Sequence, residues 1–137
     1  MLLTIDIGNT HIVLGGFCGD KLQFVARMST GSVGTEDEYA AKLLNILALH
    51  HVNVSDIEGA IVASVVPPQN GIVEKAIQYI SGKSPLLVAP GIKTGINMHC
   101  DAPASVGADL ICACVAAHHK YGSPSLLIDM GTATKMM

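Results

Sequence analysis

The residues best suited to chemistry lie in two short, similar stretches. Ile5-Asp6-Ile7-Gly8 near the start and Ile128-Asp129-Met130-Gly131 near the end each close an apolar run. Each is followed by small hydroxyl or amide residues, Asn9 and Thr10 in the first copy and Thr132 and Thr134 in the second. This pattern suits phosphate. Glycine lets backbone N–H groups approach an anion closely, Asn and Thr side chains donate hydrogen bonds, and each aspartate can hold a cation or its water shell. A single Asp-x-Gly at a strand end is more often a plain turn. Two copies at matching positions shift that balance, because two such bends facing each other can cradle the phosphates of a nucleotide.

The elements around these bends must hold them in place. Residues 2–8, 12–18 and 21–29 are short β-prone runs with short connections, and they predict three antiparallel strands. Thr35-Glu36-Asp37-Glu38 has the form of a capping box, and Tyr39, Leu43, Leu44 and Leu47 continue on one helical face, so a helix should run to about His50. Residues 57–66 form a β-branched run, as expected of a strand covered on both faces, which Pro67-Pro68 should stop. Ile72, Val73, Ala76, Ile77 and Ile80 predict a second helix, residues 85–89 a short buried strand and residues 91–103 a loop. A third helix, apolar nearly all round, should open at Ser105 as N-cap and stop at Gly122, and residues 125–131 begin a fresh strand. The order βββαβαβα with right-handed crossovers predicts an α/β fold of the ribonuclease-H-like kind, a mixed sheet with helices on both faces.

Composition narrows the function classes. The 137 residues are half apolar and only 14% charged, enough for a core and enough for one domain or a piece of a larger protein. The net charge of −3 and the lack of a basic run argue against nucleic-acid and polybasic membrane partners. The longest apolar stretches, residues 59–66 and 110–117, fall far short of the roughly 18 residues a membrane span needs. The N-terminus has no basic n-region and carries Asp6 inside its apolar run, which predicts a cytoplasmic protein. Cys18, Cys100, Cys112 and Cys114 form no CxxC pair and are expected to be reduced thiols.

Other candidates have simpler readings. His50-His51 and His118-His119 fall at expected helix ends, where they meet terminal carbonyls, and His11 is expected to be exposed on a turn. Ser64 has no G-x-S-x-G elbow and reads as a polar strand end, while Glu36, Asp37 and Glu38 serve helix capping. Asp101 either holds its loop or lines a pocket.

An ordered set of motifs runs along the whole chain: IDIGNT at 5–10, T-x-DEY at 35–39, SVVPP at 64–68, GIKTGI at 91–96, D-x-P at 101–103, VGAD at 106–109, VAAHHKYG at 115–122 and IDMGTAT at 128–134. In these the sequence resembles the type III pantothenate kinases, members of the actin-like, sugar-kinase-like ATPase superfamily. The resemblance implies ATP-dependent phosphorylation of pantothenate to 4′-phosphopantothenate, the first step towards coenzyme A, with Mg²⁺ and a monovalent cation, K⁺ or NH₄⁺. It implies ATP contacts at Asp6, Ile7, Gly8, Asn9, Thr10, His11, Ile12, Val13 and Thr132. Pantothenate would meet Cys100, Gly107, Ala108, Asp109 and Leu110, with Asp109 as catalytic base and Asp129 at the monovalent cation. Elementary chemistry agrees: phosphoryl transfer rests on positioning and on spreading charge, and one carboxylate that accepts the hydroxyl proton beside a phosphate cradle suffices.

The chain also departs from the family pattern. Leu110 stands where Arg is usual, Cys100 where an aromatic residue is usual, Ala102 and Ser105 replace Asn and Glu, and Lys135 replaces Thr. The resemblance further implies a homodimer and a division into a domain over residues 1–122 and the start of a second domain of the same fold over 123–137. A piece of this extent should have negligible kinase activity alone. Two other readings differ in class. One is a non-catalytic, transcriptional accessory relative, which loss of Asp109 or Gly8 would have favoured; the other is a phosphatase or chaperone-like ATPase, which the VGAD helix start argues against.

Overall fold

Side-chain alternation along the first strand sets the core. In the computed structural model, which describes every residue except Pro90, Thr132 and Ala133, β1 (Leu2–Ile7) buries Leu3, Ile5 and Ile7 and turns Leu2, Thr4 and Asp6 to the other face. That is the period of two expected of a strand with one covered face. β1 pairs antiparallel with β2 (His11–Cys18), and β2 antiparallel with β3 (Lys21–Ser29). On its other side β1 pairs parallel with β4 (Gly59–Ser64), which pairs parallel with β5 (Leu86–Leu87). The five-stranded mixed sheet therefore has the order β3-β2-β1-β4-β5.

Helices α1 (Glu36–Leu49) and α2 (Pro67–Ser81) pack against each other, and both contribute to the core that Leu3, Ile5 and Ile7 enter. Tyr39, Leu43 and Leu47 come from α1; Val73, Ala76 and Ile77 come from α2. The opposite sheet face leaves Leu2, Leu22, Val25 and Leu86 about half exposed. The expected strand over 57–66 is shorter, because a 3₁₀ turn at Val54–Asp56 brings Ile57 into the core before β4 starts.

The capping box of α1 is formed as expected: Glu38 N–H donates to Thr35 Oγ1 at 3.3 Å and Thr35 N–H to Glu38 Oε2 at 2.8 Å. Pro67-Pro68 does more than stop a strand. The pair occupies the first two positions of α2, where a missing N–H costs nothing, so the helix starts well before Ile72.

The chain divides into two compact units, Met1–Leu87 and Val88–Met137. In the second, α3 spans Ala108–Tyr121. Its N-cap is Gly107, not the expected Ser105. The Ser105 hydroxyl is spent on its own 3₁₀ turn, donating to Ala102 O at 2.8 Å, and extended backbone at Val106 delays the helix. Gly122 ends α3 as expected, its N–H donating to His118 O at 2.9 Å. Of the α3 side chains, Ala108 and Ile111 are buried, fewer than its apolar composition implied. The strand expected over 125–131 is confined to β6 (Ile128–Met130) and returns as β7 (Thr134–Met136), an antiparallel pair that sets Asp129 opposite Lys135. Cys18, Cys100 and Cys114 are free thiols. Among the described residues no helix is long and apolar enough to cross a membrane.

Candidate active site

The first group of candidate residues is the β1–β2 turn. Gly8 N–H donates to His11 O at 3.0 Å, closing the turn and leaving Asn9 and Thr10 exposed at its corner. The turn is tight at Gly8: a Cβ there would lie 3.0 Å from the His11 carbonyl oxygen, so the backbone would have to give by a few tenths of an ångström. Asp6 is exposed at the end of β1, opposite Val13 of β2 and Ala63 of β4, so its carboxylate lies on the open face of the sheet with the half-buried Val13. Ile7 and Ile12 pair directly, and both side chains are fully buried in the core, so towards a nucleotide they can offer only backbone. His11 is exposed, as its sequence reading expected. Thr132, the remaining expected ATP contact, lies outside the described residues.

A buried polar cluster holds this turn, and the motif reading did not single it out. Thr30, only 4% exposed, donates its hydroxyl to Gly8 O at 2.6 Å and its N–H to Thr10 O at 3.0 Å. Its own carbonyl accepts from Gln69 Nε2 at 3.3 Å, and the Tyr39 hydroxyl donates to Gln69 Oε1 at 2.9 Å. Tyr39 and Gln69 are each 1% exposed. Burial, reinforced by the nearby Glu38 charge, pushes the Tyr39 phenol above its usual range, so it stays a donor. The cluster ties the turn to α1 and α2. Its sequence signal was a glutamine just after Pro67-Pro68, at the start of a helix whose inner face is otherwise apolar.

A second group of candidate residues lies in the other unit. Asp109 stands in the first turn of α3, where the helix dipole favours a carboxylate. Its Oδ1 accepts the Leu110 N–H at 2.9 Å, and its Oδ2 accepts a hydrogen bond from Lys135 Nζ. The same ammonium lies 4.0 Å from Asp129 Oδ2. The structure thus brings Asp109 and Asp129 to one lysine, an arrangement that no local motif announces.

Beside Asp109, Leu110 and Val106 line a cavity of about 500 Å³. Cys100, Met98, Ile111 and Leu127 are among its other walls, and His99 and His118 add polar edges. Cys100 and Leu110, expected at the acceptor, therefore share one cavity; Gly107 and Ala108 open α3 next to it. Asp101 is exposed in the preceding loop. The remaining candidates have structural roles. His50 is the C-cap of α1 and stacks on Phe24 with ring centroids 4.7 Å apart, His118 Nδ1 lies 2.9 Å from Ser123 Oγ, and Ser64 Oγ accepts the Val66 N–H at 3.0 Å.

Comparison with known proteins completes the assignment. A family profile described as type III pantothenate kinase matches residues 2–137. The chain is 43% identical over 135 residues to a protein named type III pantothenate kinase from Bifidobacterium animalis subsp. lactis, covering 98% of this chain and 53% of that one. It is 43% identical to the protein of that name from Brevibacillus brevis and 45% identical to that from a Geobacillus species, each time over 98% of this chain and 52% of the relative. The chain thus spans about half the length of these curated relatives. With a profile match along nearly the whole sequence and relatives at 43–45% identity, the chain belongs to the type III pantothenate kinase family.

Proposed function

We propose that the full-length protein transfers the γ-phosphoryl group of ATP to the primary hydroxyl of pantothenate, giving 4′-phosphopantothenate for coenzyme A synthesis. The observation that carries this reading is Asp109, a carboxylate in the first turn of α3 whose neighbours Val106 and Leu110 line a ligand-sized cavity. Asp109 would accept the hydroxyl proton, and the Cys100–Leu110 cavity would hold the acceptor chain. The exposed Asn9–Thr10 corner would receive phosphate oxygens, with Asp6 the single carboxylate that Mg²⁺ uses together with phosphates. Leu110 gives that cavity an apolar wall where the family pattern has a guanidinium, so the acceptor carboxylate must be met elsewhere.

The order β3-β2-β1-β4-β5 supports reading the first unit within a ribonuclease-H-like, actin-like ATPase domain over residues 1–122, with 123–137 opening a second. The protein would act in the cytoplasm as a homodimer, and these 137 residues alone would not turn over.

The test is ADP formation by the full-length protein with and without pantothenate. Pantothenate-dependent ADP release that Asp109→Asn lowers by about a thousandfold is expected, the scale of a positioned general base. Equal release in both tubes would favour the non-catalytic relative instead.

A further inference from the structure

Asp129 does not suit a mobile monovalent cation, because a cation already faces it. Lys135 stands directly opposite Asp129 across the β6–β7 pair, with its ammonium 4.0 Å from Asp129 Oδ2. The same ammonium is hydrogen-bonded to Asp109 Oδ2. The Lys135 side chain is 34% exposed and that of Asp109 22%, so this is no loose surface contact. An ammonium has three N–H donors and no acceptor, which suits it to two carboxylates at once. A metal ion would have to displace a charge that the chain itself tethers beside both carboxylates.

We infer that Lys135 is the resident monovalent cation of this site, holding the Asp109 carboxylate in position against Asp129 and freeing the reaction from any requirement for K⁺ or NH₄⁺. This rests on the kinase reading for its rate consequences but not for its binding consequences. Lys135 acts here as a positioning residue, since it works through Asp109. The charge accounting is simple: one ammonium is shared by two carboxylates, and a K⁺ or NH₄⁺ that took its place would carry the same single charge.

The experiment compares the full-length protein with its Lys135→Met and Lys135→Arg variants in KCl, NH₄Cl and choline chloride at fixed ionic strength. Three readouts are followed: pantothenate-dependent turnover, melting temperature and thallium(I) binding by NMR. For the unaltered protein, turnover and melting temperature should be the same in all three salts, and no stoichiometric thallium site should appear. Lys135→Met should lose roughly a hundredfold in kcat in choline, with little change in KM for ATP, as when one positioned electrostatic partner is removed. It should regain rate in KCl or NH₄Cl and gain a thallium site, while Lys135→Arg stays salt-independent. A K⁺ requirement or a thallium site in the unaltered protein would overturn the inference, as would a Lys135→Met variant that matches it in every salt. If pantothenate-dependent turnover is absent altogether, the kinase reading fails, and thallium binding and melting temperature still decide the role of Lys135.

Discussion

Tyr39 shows how one side chain can carry both a fold and a site. Its hydroxyl donates to Gln69, Gln69 donates to the Thr30 carbonyl, and the Thr30 hydroxyl donates to Gly8, so the turn with Asn9 and Thr10 at its corner rests on a chain of buried polar groups. Buried polar groups are costly when a partner is lost. Tyr39→Phe leaves Gln69 Oε1 without its phenol donor and is expected to cost about 1–3 kcal/mol, read as a fall in the midpoint of urea unfolding. The pH dependence has a definite sign. The fold raises the Tyr39 pKa and so favours the protonated phenol. That contribution is complete below the ordinary phenol value and is lost as pH rises through the folded value. Stability should therefore fall above about pH 10, and the Tyr39→Phe variant should lack that component of the fall. Parallel alkaline melting curves for the two proteins would remove Tyr39 as its source.

The elements were legible where their signals are local, and misplaced where a local signal was already in use. Thr35 and Glu38 announced α1 because a capping box is complete within four residues, and Gly122 announced the end of α3. Ser105 misled because a hydroxyl that can cap a helix can equally close a 3₁₀ turn, and only the backbone at Val106 decides between them. Pro67-Pro68 reads equally well as the end of β4 or the start of α2, and it serves as both. The half-sites differ in the same way. The Gly8 turn shows in six consecutive residues, whereas Lys135 reaches Asp109 across 26 positions and Thr30 meets Gln69 across 39, and such pairings exist only after folding. Gly16 is a further case. On the core side of β2, a Cβ there would lie 2.2 Å from Phe24 Cε1 and 2.9 Å from Met1 Sδ. Phe24 also stacks on His50, so it cannot swing aside freely. Gly16→Ala is expected to destabilise the protein by roughly 1–3 kcal/mol through overpacking. Combining it with Phe24→Leu should recover part of that in thermal unfolding; no recovery would place the strain elsewhere.

At the scale of the whole molecule, the decisive fact is that the relatives are about twice as long as this chain. Phosphoryl transfer draws most of its acceleration from holding donor, acceptor and base in one geometry, and misplacing one partner by a small distance costs orders of magnitude. Within these 137 residues, the Gly8 turn and the helix-start carboxylate Asp109 belong to different compact units. The five-stranded sheet also keeps Leu2, Leu22, Val25 and Leu86 half exposed on the face away from its core. In the second unit, Asp129 belongs to a two-stranded pair of three residues per strand. Two-stranded pairs of that size are marginal without further packing. The 137-residue polypeptide is therefore expected to form ADP at least about a thousandfold more slowly than the full-length protein at equal molar concentration. The measurement is a coupled ADP assay with saturating ATP and pantothenate. Circular dichroism on the same sample establishes that the sheet and helices are formed, and an Asp109→Asn polypeptide serves as the background for contaminating kinases. Turnover by the short chain within about tenfold of the full-length rate, and lost in the Asp109→Asn control, would mean that these residues assemble the whole site unaided and that the second Asp-x-Gly bend needs no further support.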